Sequence, residues 1–199
     1  MLLTIDSSGG TGVALLGLDG VTILQRVSAD GRGHAEAIGP MLAEAVAAAG
    51  GPGALTAVAY GVGPGPFTGL RVGMAAARAL ADALGLPTLP LVSHDAIAEA
   101  SGPRSGDFVV VTDAKRRESY FTAYGARTAD GLPRRLAEPR VGPEAQLPDL
   151  PRVTAPLLPS ALGRVALARR ASGLPPDDGA PRYLRSPDVT PGVPKRVLG

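Results

Sequence analysis

The sequence predicts an α/β protein: a mixed sheet with helices packed on it, followed by a smaller second α/β lobe. Three observations carry this. Residues 2–27 hold three short apolar runs separated by turn residues, residues 34–100 alternate helical periodicity with short strand-like runs, and a fresh pair of strand patterns begins at Phe108. The expected division is residues 1–103 for the first lobe and 104–199 for a reduced second lobe with a proline-rich tail.

The elements follow in order. LLTID (2–6) is an apolar run ending at Asp6, SSGG is a turn, and TGVALLG (11–17) is a second strand. Asp19-Gly20 is a hairpin signal, and VTILQRV (21–27) a third strand. After a glycine-rich turn at 31–33, His34, Ile38, Met41, Leu42, Ala45, Val46 and Ala49 recur at helical spacing. Pro40 is easiest to place in a first turn, which favours a regular helix beginning later than His34, and Gly50-Gly51-Pro52-Gly53 stops it. TAVAYGV (56–62) is a buried strand, GPGPFTG (63–69) a turn, residues 68–84 a helix with Thr68 as cap and Gly85 at its end. PTLPLVS (87–93) is a strand and 94–100 a short helix with Ser93 as N-cap. FVVVTDA (108–114) and ESYFTAYGA (118–126) are strands, 127–159 is mostly loop with a strand at 153–155, 160–171 is a helix, and the tail after Pro175 is extended. The order β-β-β-α-β-α-β-α is that of the ribonuclease-H-like fold shared by actin, sugar kinases and heat-shock ATPases, and fold alone does not give function.

Composition narrows the chemistry. The 199 residues contain no cysteine and two histidines, His34 and His94, which excludes thiolate catalysis, disulfides and a Cys- or His-rich metal site within one chain. No apolar run approaches the roughly 18 residues needed to span a bilayer, and the N-terminus lacks a basic region, so a soluble cytoplasmic protein is expected. Net charge is +2, with 18 Arg against 2 Lys. Residues 1–103 carry 4 basic and 8 acidic side chains, residues 104–199 carry 16 and 10, so a basic second half is available to an acidic partner such as RNA.

Three segments bear on function. Asp6 ends a strand beside Ser7, Ser8, Gly9 and Gly10, a setting that suits a metal–phosphate and equally suits satisfied turn amides. No Walker A or GxGxxG spacing occurs. In GPGPFTGLRVG (63–73) the glycines and prolines shape a stiff turn, and Gly69, Gly73, Ala76, Ala77 and Ala81 leave a surface of small side chains. Such a surface lets another helix come close, within the chain or between chains; the rival reading is an anion at the helix N-terminus with Arg71 assisting. DAKRRESY (113–120) sets three bases between two acids, either a solvated turn or a contact with a partner or RNA backbone.

LLTIDSSGGTGVAL, RGHAEAIGPML, AYGVGPGPFTGLRVGMAAARALA, LVSHDAIAEA, DAKRRESY and PRYLR (181–185) together resemble the bacterial tRNA threonylcarbamoyladenosine biosynthesis family TsaB, with Pro66 where that family usually has Ser. The resemblance implies an actin-like ATPase fold with an incomplete second lobe. It implies a non-catalytic paralogue of TsaD, the subunit that places threonylcarbamoyl on the adenosine 3′ to the anticodon of tRNAs reading ANN codons. TsaD-like proteins hold a metal through His-x-x-x-His; here His94 takes the first position and Ala98 the second, which leaves no ligand pair. The implied partners are TsaD, the ATPase TsaE and a second copy of the chain, with tRNA reached through the complex and no membrane. The implied contact helices are 34–49 and 68–84, with Ile38, Leu42, Gly69, Gly73, Ala76, Ala77 and Leu80 as contact residues. No cofactor is expected. The competing expectation is an actin-like ATPase or small-molecule kinase binding nucleotide at Asp6, Ser7 and Ser8, which needs a second phosphate loop that the sequence does not show. A metalloprotease reading lacks HExxH.

Overall fold

The computed structural model describes residues 1–28 and 33–185; most of the turn expected at 31–33, and the tail beyond Arg185, lie outside the described residues. The first sheet contains β1 (Leu2–Asp6), β2 (Thr11–Leu16), β3 (Thr22–Ser28), β4 (Ala57–Gly61) and β5 (Thr88–Leu91), in the order β3-β2-β1-β4-β5. The meander pairs antiparallel, setting Leu2 opposite Leu16 and Asp6 opposite Gly12, whereas β4 and β5 run parallel to β1. Every residue of β1, β2 and β4 is buried. Such strands read as continuous apolar runs because both faces of the sheet are covered.

Successive side chains go to opposite faces. Leu3, Ile5, Val13, Leu15, Val58 and Tyr60 share a core with α1 (His34–Ala48) and α2 (Phe67–Leu84). Leu2, Ala57 and Ala59 share one with α4 (Pro159–Ala171), where Leu162, Val165 and Ala166 are buried. Thus a helix from the second half of the chain closes the first sheet.

The second sheet is built from β6 (Phe108–Asp113), β7 (Glu118–Gly125), β8 (Arg134–Arg135), β9 (Arg140–Pro143) and β10 (Arg152–Val153), with β6 and β7 antiparallel at its centre. Between the sheets sits α3 (Ser93–Ser101), buried continuously from Ser93 to Ala98. Its Ala96 belongs to the core beneath the first sheet, and its Ile97 and Ala98 pack with Phe108, Val110 and Tyr124 of the second.

Four local expectations are corrected. The first helix starts at His34 with Pro40 inside it. Pro40 lacks the N–H that would reach the Glu36 carbonyl, but it is exposed, and burial of His34, Ile38 and Ala45 on the opposite side holds the helix despite it. Helix α2 begins at Phe67, because Pro66 is the extended residue at its head, so Thr68 does not cap. Ser93 is the first residue of α3 rather than its cap; its hydroxyl is engaged elsewhere. Residues 127–159 contain β8 and β9, which their Arg, Gly and Pro content concealed; β9 gains its form from pairing with β7. Among the described residues no helix is long and apolar enough to cross a membrane.

The placement of Pro40 has a measurable cost. Pro40→Ala restores a helical donor at an exposed site and is expected to raise the unfolding free energy by about 1–2 kcal/mol. An unchanged or lower denaturation midpoint would argue against a proline in the helix interior.

Candidate functional site

Two of the sequence segments singled out above meet at one place. Asp6, at the end of β1, is 2% exposed. Its Oδ1 accepts from the Ser8 N–H (2.7 Å) and the Ser8 hydroxyl (2.6 Å), and its Oδ2 accepts from the Ser93 hydroxyl (2.6 Å). Ser93 Oγ in turn accepts from the Gly63 N–H at 3.1 Å. Burial pushes the Asp6 carboxyl above its usual value, and the Ser8 and Ser93 hydrogen bonds work against that rise.

Ser7 is fixed by α2. Its hydroxyl donates to the Gly69 carbonyl (2.7 Å) and accepts from the Gly73 N–H (3.1 Å), bridging the two groups that a regular helical turn would join directly. The close approach depends on absent side chains. A Cβ at Gly65 would meet the Ser8 backbone at 2.6 Å, one at Gly69 would lie 2.5 Å from the Ser7 carbonyl, and one at Gly73 would overlap the Ser7 hydroxyl. At Gly61 a Cβ would run into the Asp6 carboxylate. The glycines of AYGVGPGPFTGLRVG therefore form a groove for the Asp6–Ser8 turn. The free volume beside Asp6 and Gly9–Gly12 is about 10 Å³, roughly the room of a single water and far below that of a nucleotide.

This answers which of the expected contact residues face outward. Ile38, Gly69, Gly73 and Ala77 are buried within the chain, so the small-residue surface serves its own β1–β2 turn and sheet. Leu42, Ala76 and Leu80 are half-buried and, like Val46 and Val72, pack against the same core from α1 and α2.

Both histidines are hydrogen-bonded to threonine hydroxyls. His34 Nδ1 is 2.7 Å from the Thr11 hydroxyl. His94 is fully buried, with Nδ1 at 2.8 Å from Thr122 Oγ1 and Nε2 at 2.9 Å from Thr112 Oγ1. Burial lowers its pKa to about 3, so the ring is neutral and one nitrogen donates while the other accepts. Among the described residues no three His, Asp or Glu side chains stand close enough to hold a metal ion.

The remaining segments converge on a second place. A cleft of about 310 Å³ is lined by Gly65–Thr68 at the head of α2, by Asp113–Lys115 and Tyr120 of the β6–β7 hairpin, and by Tyr183 and Arg185. The Tyr183 ring lies 4.7 Å from that of Phe67, and the Arg71 guanidinium sits 3.9 Å above Phe67. Arg185 donates to the Ala114 carbonyl and pairs with Glu118 at 3.1 Å. Upstream, the Arg182 N–H donates to the Val62 carbonyl, and Asp177 bonds Pro90 and Val92 through backbone and carboxylate. Asp177 also pairs with Arg135 and Arg169, which flank Asp95; burial raises Asp95 to about 6 against the pull of Arg135. Residues 177–185 thus strap the two sheets together. The sequence singles out PRYLR only through resemblance, gives Ser93 a capping role in place of its bond to Asp6, and does not point to Thr112, Thr122 or Asp177, whose roles exist only across long chain separations.

Two outcomes check this geometry. In an exposed helix Gly→Ala stabilises by about 1 kcal/mol. Gly69→Ala is expected to do the reverse, costing about 1–3 kcal/mol through overlap with Ser7 and His34, while Gly39→Ala, which meets open space, follows the ordinary rule. A stabilising Gly69→Ala would refute the groove. For His94 the folded pKa lies below the unfolded one, so stability is full above about pH 6.5 and falls as pH drops and the unfolded chain takes up the proton. Asp95 opposes this between about 6 and 4, because its raised pKa favours the protonated folded form. His94→Gln should therefore flatten or invert the acid loss of stability, changing the slope by up to about 1.4 kcal/mol per pH unit. Parallel curves for the variant and the parent would contradict a neutral buried ring.

Comparison with known proteins fits these features. Residues 27–133 match the family model TsaD, tRNA N6-adenosine threonylcarbamoyltransferase. The chain is 41% identical over 184 residues to the uncharacterised protein Rv3421c of Mycobacterium tuberculosis, covering 87% of this chain and 85% of the relative. It is 40% identical over 197 residues to the uncharacterised protein ML0378 of Mycobacterium leprae, covering 90% of this chain and 52% of that one. Its fold matches YeaZ from Pseudomonas aeruginosa with a TM-score of 0.75 at 25% identity, covering 92% of this chain and 99% of YeaZ. A second Pseudomonas aeruginosa structure, of an uncharacterised protein with similarity to peptidase YeaZ, matches at 0.76 and 26% over the same shares. The architecture is the actin-like α/β fold of YeaZ, and the chain belongs to the TsaD family of proteins related to tRNA modification.

Proposed function

We propose that the chain is a TsaB-like, non-catalytic accessory subunit of the complex that installs threonylcarbamoyl on the adenosine 3′ to the anticodon of tRNAs reading ANN codons. In this reading it binds the catalytic subunit TsaD, with the ATPase TsaE and a second copy of itself as further partners, in the cytoplasm. The observation that carries it is the filled turn at Asp6–Ser8: the carboxylate and both hydroxyls are spent on the chain's own groups, and about 10 Å³ remains beside them. His94, with both nitrogens taken by threonines, supports the same reading.

The partner surface in this proposal is the seam between α1 and α2, where Leu42, Val46, Val72, Ala76 and Leu80 are half-buried apolar side chains on adjacent helices. The first lobe, 1–103, supplies it; the reduced second lobe, 104–199, supplies α4 and the strap. Partly exposed apolar side chains on two adjacent helices suit association.

The test is reconstitution of threonylcarbamoyladenosine on tRNA with TsaD, TsaE and the activated donor, with and without this chain. Modification should require the chain, and the chain alone should modify nothing; modification without it, or by it alone, overturns the proposal. Ala76→Arg should lower both co-elution with TsaD and modification by at least about tenfold, as a charge in an apolar seam is costly, while the melting midpoint stays close to the parent's. Unchanged co-elution would remove α2 from the interface.

A further inference from the structure

The hairpin between β6 and β7 carries a backbone feature that needs an explanation. Lys115, Arg116 and Arg117 all have positive φ, at 62°, 54° and 62°. Left-handed backbone costs about 1–2 kcal/mol per non-glycine residue and seldom occurs in a run. No glycine or asparagine relieves it here; three cations occupy the positions instead. The turn is held by Asp113, whose carboxylate accepts from the Lys115 N–H and ammonium at 2.7 Å each, and by backbone bonds between Ala114 and Glu118 and between Glu118 and Lys115. All three basic residues are exposed.

The surroundings add charge of the same sign. Arg185 and Arg71 flank the adjoining cleft, so five cations stand near two carboxylates, Asp113 and Glu118, each already paired with one of them. Beside this cationic tip the fold places the Phe67 and Tyr183 rings, which lie far apart in sequence. Cations on a rigid turn next to aromatic faces suit a chain of phosphates bearing stackable bases. An acidic protein surface would meet the same charge but gives no use to the Tyr183 ring, which is 36% exposed beside the turn.

We infer that the Lys115–Arg117 turn and the cleft beside it contact the phosphate backbone of RNA, so that this chain touches the tRNA itself as well as its protein partners. This rests on the proposed role in tRNA modification for the identity of the RNA. Backbone strain persists where the structure over-determines it, and fixed cations lose less freedom on meeting phosphates than those on a mobile loop.

The experiment is fluorescence anisotropy of an unmodified transcript of a tRNA reading an ANN codon, titrated with the full chain alone and with its TsaD complex at several salt concentrations. R116Q/R117Q should weaken binding roughly tenfold at moderate salt and reduce the slope of log affinity against log salt by about 1–2. R116K/R117K should keep the slope, separating charge from folding, and R26Q/R152Q, at exposed ion pairs elsewhere, should leave it unchanged. No binding by the parent in either form, or an unchanged slope for R116Q/R117Q, overturns the inference. Loss of TsaD co-elution by R116Q/R117Q with RNA binding intact overturns it too, in favour of an acidic protein surface. These readouts do not use activity, so the requirement for the chain in modification can stand or fall independently.

Discussion

The contact on which the rest of the structure depends is the seating of the Asp6–Ser8 turn against α2. It requires three glycines at four-residue spacing, Gly65, Gly69 and Gly73, and it is locked by the Ser7 hydroxyl between the Gly69 carbonyl and the Gly73 N–H. In return, the head of α2 and the Gly63 turn are fixed to the end of β1, and Ser93 ties the start of α3 to the same carboxylate. One buried acid therefore organises the ends of three segments from distant parts of the chain. A buried carboxylate is tolerable here because three donors surround it.

From that point the two sheets are positioned by α3 and by the strap. The burial of α3 on all sides explains its alanines: small side chains let it lie between two sheets and α4. The strap adds the polar ties, with Asp177 reaching Pro90, Val92, Arg135 and Arg169. Such buried charges contribute little net stability and instead fix one arrangement, since removing one partner strands the others. The same strap carries Tyr183 to Phe67 and Arg185 to the β6–β7 hairpin, which is how one cleft comes to be lined by three separate sequence segments.

Most of the first sheet is legible from the chain because β1, β2 and β4 are fully buried runs, and α2 from its periodicity and Gly85, whose φ of 63° ends it. The site was half legible. The residues Asp6, Ser7, Gly69 and Gly73 stand out in sequence, but whether small residues face a partner or the chain's own turn is a tertiary fact that spacing does not contain. Pro40 misled in the other direction, since a local rule against proline was outweighed by burial of the opposite helix face. Likewise β9, with Arg, Gly and Pro in four residues, has no local strand signal and owes its form to β7. Charge counting suggested a basic second half, and only the fold brings rings beside the basic turn.

Asp6, Ser7 and Ser8, where the competing nucleotide reading places the phosphates, are bonded instead to the chain's own groups, Ser7 to α2 and Asp6 to Ser93. The direct measurement is amide NMR of Ser7, Ser8, Gly9 and Gly10 in the isolated chain during titration with magnesium ATP. No saturable shift is expected at these amides, because Asp6, Ser7 and Ser8 are buried with their side chains bonded within the chain and only about 10 Å³ is free beside Gly9 and Gly10. A saturable shift confined to them, reversed by removing the nucleotide, would show an open site and contradict it.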